Sequence, residues 1–74
     1  MTEKQAKIIV AMAQNDLNMA KTSRATFYHF QNVRYHVNEI EKKTGLDPRK
    51  FYDMLKLLPE AEAVLERRKH RADW

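Results

Sequence analysis

In 74 residues the chain holds one glycine, Gly45, and two prolines, Pro48 and Pro59. A β-protein of this length would need a turn roughly every 8–12 residues, built largely from such residues, so their scarcity points to an all-α fold. A domain this small buries only about 60% of the surface its unfolded chain exposes, which leaves it short of internal stabilisation. Disulfides are excluded because there is no cysteine. A metal is not expected, since His29, His36 and His70 lack a cysteine partner or a tight ligand spacing. Self-association, or binding to something larger, is what remains. No apolar run approaches the roughly 18 residues of a membrane span. The start "MTEKQAKIIVAMAQ" has no signal-peptide layout, so a cytoplasmic protein is expected.

Apolar spacing divides the chain into four to five short helices. The first is read over residues 2–14, with Thr2 and Gln5 as a weak capping box and Ala6, Ile9, Met12 and Ala13 on one face. "NDLN" reads as a turn flanked by the apolar anchors Leu17 and Met19. The second helix, 19–26, has Asn18 as N-cap, and its small residues Ala20, Ser23 and Ala25 would let a neighbour approach closely. The chain must then turn between Thr26 and His29, although neither Gly nor Pro marks the place. The third helix runs from Phe30 to Lys43, buries Val33, Val37 and Ile40, and stops at Gly45 with Leu46 as the next apolar contact. Asp47 as cap and Pro48 at the first helical position open a fourth helix with Phe51, Met54, Leu55 and Leu58 inward. Pro59 should end or kink it, and "EAEAVLERRKHR" resumes as a fifth helix with Ala61, Val64 and Leu65 on one side. One domain over 1–66 is expected, with a basic tail at 67–74 that frays.

The net charge of +4 is unevenly spread: residues 18–50 hold seven Lys or Arg against Glu39, Glu41 and Asp47, and the tail is basic again. Such a patch favours a polyanion, although a solvated basic face gives the same composition. A short helix, a tight turn and a longer helix with polar groups at its start is a helix-turn-helix, whose second helix lies in the major groove of DNA. Gln31 and Asn32 suit an adenine edge and Arg34 suits guanine or phosphate. Phe30, Gln31, Arg34 and Tyr35 fall away from the buried stripe, with Asn32 at the boundary.

The run "SRATFYHFQNVRYHVNEIEKKTGLD" resembles the C-terminal helix-turn-helix of PucR/CdaR-type bacterial transcription regulators, itself similar to the DNA-binding region of the factor for inversion stimulation. The matching residues are His29, Val33, Arg34, Tyr35, Ile40, Glu41, Thr44, Gly45, Leu46 and Asp47. The resemblance implies an all-α helix-turn-helix bundle that binds double-stranded DNA and regulates transcription. Phe30, Gln31 and Asn32 stand where the family usually has Arg, Asn and Thr, and His36 replaces a common Arg, which weakens or redirects DNA reading. Ser23 and Thr26 replace a usual Ala and Leu, suggesting a looser joint between the second and third helices. The family's large regulatory region is not in this chain, so effector sensing is not expected, and a small phage or mobile-element regulator fits.

The expected DNA contacts are Arg34, Gln31, Asn32, Phe30, Tyr35 and His36 on the third helix and His29 at or near its N-terminus, with Lys21, Thr22 and Arg24 as phosphate clamps on the second. Several have a structural alternative. Arg34 could form a surface ion pair, His29 could cap the turn, and Phe30 could fill it. Tyr35 should both bond a phosphate and pack on the second helix. Lys42 and Lys43 suit the helix C-terminus in any case. A homodimer on two half-sites is expected, its apolar surface drawn from the fourth helix and "AEAVL". No nucleophile with a neighbouring base, phosphate loop or paired carboxylates supports an enzyme or a cofactor. The competing reading is a protein-interaction module that kept this fold and lost DNA binding.

Overall fold

A computed structural model of the chain describes residues 1–72, with side chains through Arg67. It consists of four helices, α1 (Glu3–Gln14), α2 (Met19–Thr26), α3 (Phe30–Thr44) and α4 (Phe51–Ala72), and no strand among the described residues. None is long and apolar enough to cross a membrane. The α1 start is a full capping box. Thr2 Oγ1 accepts from the Gln5 N–H and Gln5 Oε1 accepts from the Thr2 N–H, both at 3.1 Å, so two otherwise orphaned donors are satisfied. Asn18 caps α2 by accepting from the Lys21 N–H at 3.0 Å. Gly45 ends α3 in the left-handed conformation at φ 75° and donates to the Glu41 carbonyl at 2.8 Å, a position that glycine fills without steric cost.

α1 is the hub of the bundle: it packs along α4 and also against α2 and α3, which pack on each other. Its inward face is wider than the expected stripe. Ile8 and Ile9 are both fully buried beside Ala6 and Met12, because α1 has neighbours on more than one side. Val33, Val37 and Ile40 of α3 complete one core with Met54, Leu57 and Ala61 of α4. Fully burying each large apolar side chain contributes about 1.5–3 kcal/mol. Leu17, Met19 and Leu46 pack at its margin, as the turn anchors should.

Three expectations change. Residues 48–50 form a turn rather than the first turn of a helix, because Asp47 is used differently: its carbonyl accepts from the Lys50 N–H and its Oδ1 from the Arg49 N–H, and α4 begins at Phe51. The inward face of α4 is Met54, Leu57 and Ala61, while Phe51 and Leu55 are exposed and Leu58 sits between the two sets. Pro59 does not end the helix. α4 continues through it for 22 residues as one element, so no fifth helix exists as a separate piece. Pro59 and Leu55, whose carbonyl loses its helical donor, are both on the exposed side, where water can serve that oxygen. Met54 and Leu57 before it, and Ala61, Val64 and Leu65 after it, hold the helix to the core. The tail expected at 67–74 lies, beyond Arg67, outside the described side chains.

Candidate nucleic-acid interface

The turn between α2 and α3 is where the absence of glycine has consequences. Phe27 itself takes the left-handed conformation, at φ 62°. Hydroxyl groups strap the turn on both sides. Ser23 Oγ donates to the Tyr28 carbonyl at 2.6 Å, and Thr26 Oγ1 donates to the Thr22 carbonyl at 2.8 Å while accepting from the Tyr28 N–H at 3.3 Å. The joint between the two helices is therefore tightened, not loosened, by Ser23 and Thr26, because each polar side chain takes up a backbone group that the turn would leave free. Lys4 sits 4.8 Å above the centre of the Tyr28 ring, which ties the same turn to the start of α1.

His29 is the N-cap of α3: its Nδ1 accepts from the Gln31 N–H at 3.2 Å. That role needs an unprotonated Nδ1, so the ring's proton is carried on Nε2, and the side chain is exposed. The capping role anticipated for His29 is thus present, and it leaves an outward N–H donor. Gln31, Arg34 and Tyr35 are exposed on the first two turns, Phe30 is 38% exposed, and Asn32 is half-buried at the edge of the face. Arg34 forms no ion pair or hydrogen bond among the described residues. Tyr35 is 58% exposed. The Glu39 carboxylate beside its hydroxyl raises the phenol above its ordinary range, and its ring lies edge-on to His36 at 5.2 Å.

His36 turns inward instead of outward. Its Nδ1 lies 3.4 Å from Nε2 of the buried Gln5. Burial first, and the Lys4 charge second, push its imidazole below the ordinary histidine range, with Glu39 opposing. On α2, Thr22 is fully buried and donates its hydroxyl to the Asn18 carbonyl at 2.8 Å, so its side chain holds the helix start and does not reach outward. Ala20 and Ala25, expected to admit a neighbour, are exposed, so Thr22 and the half-buried Ser23 are the small residues that face the bundle. Lys21 is exposed and pairs with Asp16 at 3.1 Å. Arg24 is exposed in the last turn of α2.

The outward surface shared by α2 and α3 therefore gathers Lys21, Arg24, His29, Phe30, Gln31, Arg34 and Tyr35, and sets Thr22 and His36 apart. No Asp or Glu occurs from Leu17 through Asn38, and carboxylates meet this surface at its margins, where Asp16 pairs with Lys21 and Glu39 lies beside Tyr35. Phe27, not among the expected contacts, is the most exposed large apolar residue among the described residues, at 94%. The only sequence signal for it is the turn without Gly or Pro, which obliges some other residue to take the left-handed position.

The opposite end of α3 is fixed by charge. Arg49 bridges Asp47, at 2.8 Å, and Glu41, at 3.3 Å, while the Asp53 carboxylate accepts from the Asp47 N–H at 2.9 Å. The Arg49 guanidinium bonded to Asp47 holds that nearly buried carboxyl below the usual carboxylate range. This network joins the C-terminal end of α3 to the first turn of α4.

A family model, the PucR C-terminal helix-turn-helix domain, matches residues 6–59, which span most of α1, all of α2 and α3, and α4 to Pro59. No curated protein and no solved structure matches the chain.

Proposed function

The chain belongs to the PucR C-terminal helix-turn-helix family, and from that premise we propose that it binds double-stranded DNA sequence-specifically through α3 and regulates transcription. The observation that carries this reading is Arg34, exposed and unpaired among the described residues in a stretch with no acid. With α3 in the major groove, Arg34 reaches guanine O6 and N7 or a phosphate, and Gln31 bonds an adenine edge. The Nε2–H of His29 adds a donor at the helix start. Lys21 and Arg24 meet the phosphates flanking the groove, Lys21 exchanging its exposed bond to Asp16 for one to DNA. One module makes few base contacts, so specificity comes from a homodimer on half-sites about one helical turn, roughly 34 Å, apart. Electrophoretic mobility shift with random-sequence duplexes at low salt tests the reading, a shift at micromolar protein being expected and its absence counting against it.

A second reading, a protein-interaction module, is favoured by one specific observation. Phe51, Tyr52 and Leu55 are 61, 76 and 50% exposed on α4. With Ala13, Asp16, Leu17, Met54 and Leu58 two of them line an apolar groove of about 460 Å³. Under the DNA-binding reading that face pairs two copies of the chain. Under the second it holds a different protein, and the chain shifts no DNA.

A further inference from the structure

Phe27 is a poor residue for the place it occupies. The left-handed conformation is disfavoured for a side chain with a Cβ, and glycine or asparagine would make the same turn with less strain. A strained position usually persists because the surroundings over-determine it. Here the Ser23, Thr26 and Thr22 hydrogen bonds do so, fixing the backbone on either side. What they hold in place is a ring 94% exposed to solvent, which makes no aromatic or cation–π contact among the described residues. The chain thus spends backbone strain to present a large apolar group almost wholly to solvent.

The surroundings of that ring decide what it meets. It precedes the His29 cap by two residues, just after the last turn of α2, which holds Arg24, and ahead of Phe30, Gln31 and Arg34 in sequence. With no Asp or Glu from Leu17 through Asn38, the ring sits in a cationic and amide-bearing field suited to a polyanion and not to an apolar protein surface. The leading end of a recognition helix points at base edges in the major groove. The one alkyl group on the base edges there is the C5-methyl of thymine.

We infer that Phe27 is a specificity-determining contact that packs its ring on thymine methyl groups at the edge of the groove read by α3. The inference rests on the DNA-binding reading and adds to it a residue and a base preference. Phe27→Gly separates affinity from stability, because it removes the ring and relieves the backbone together. The probe is a duplex recovered with the wild-type chain from a random DNA pool, prepared once with thymine and once with uracil, which differs only in lacking the methyl. The wild-type chain binds the uracil duplex more weakly, by about four-fold for each methyl covered, the factor appropriate to one buried methyl-sized group. Phe27→Gly melts at the same or higher temperature, binds the thymine duplex more weakly and no longer distinguishes the two duplexes. Phe27→Asn, which also tolerates the left-handed turn, repeats that result and stands in should the glycine variant fold poorly. Thymine-duplex affinity unchanged in both variants, or the same thymine-to-uracil ratio as the wild type, overturns the inference and leaves the DNA-binding reading intact. A wild-type chain that recovers no duplex overturns both.

Discussion

Leu17 and Phe27 pose the same backbone problem and solve it differently. Both are non-glycine residues in the left-handed conformation, at φ 59° and 62°, in the turns that enter and leave α2. Leu17 offsets its strain by packing against the core, and its N–H donates to the Met12 carbonyl at 2.8 Å. Phe27 has no such compensation, its ring being almost wholly in solvent. One turn sets its side chain against the bundle, whereas the other presents its ring on the outer surface of α2 and α3. The turns before α2 and before α3 thus hold one packed and one exposed side chain in the same backbone conformation.

Leu17→Ala should show the largest effect, a destabilisation of about 2 kcal/mol in urea unfolding, at the low end for a leucine truncation because the side chain is only partly buried. An unchanged midpoint would remove the contrast. Ser23→Ala frees the Tyr28 carbonyl and should cost about 1 kcal/mol. It should also weaken DNA binding, since the strap positions α3, and normal affinity would show that the turn needs no strap. Phe27→Gly should stabilise by roughly 0.5–1 kcal/mol in the same unfolding experiment, opposite in sign to Leu17→Ala. A loss of stability there would mean that the ring supports the fold after all.

Acid provides a smaller test on the scaffold around α3. His36 is held below its ordinary range, so the unfolded chain takes up that proton first, and stability should fall as pH drops below about 6.5. Asp47 is depressed by its bond from Arg49, so its contribution is complete above about pH 4 and is lost as pH falls further. His36→Gln should flatten the upper step and Arg49→Gln the lower, each read from thermal melts across pH.

The helices were legible where capping chemistry marks them. Thr2 with Gln5, Asn18 and Gly45 fix the bounds of α1, α2 and α3 to within a residue or so. α4 was not, because the proline rule is local, whereas the contacts of Leu57, Ala61 and Val64 with the core extend past Pro59. Its sequence also carries two apolar stripes, and only packing on α1 decides that Leu57, not Leu55, is inside. On the candidate site, Gln31, Arg34 and Tyr35 were legible as outward from helical period alone. Thr22 and His36 were not, since both are polar residues taken inward by partners distant or hidden in sequence, the Asn18 carbonyl and Gln5.

Arg34 bears on the central claim most directly, because it is exposed, unpaired among the described residues and outside the core. Wild-type and Arg34→Ala chains should be titrated by fluorescence anisotropy with a selected duplex across a range of salt concentration. If α3 reads DNA, the wild-type affinity falls steeply with salt. Arg34→Ala then binds ten-fold or more weakly, corresponding to about 1.4 kcal/mol or above, and, where the arginine meets a phosphate, with a salt slope shallower by about one. Equal affinities for the two chains, or binding that ignores salt, would contradict the reading of α3 as a DNA-recognition helix.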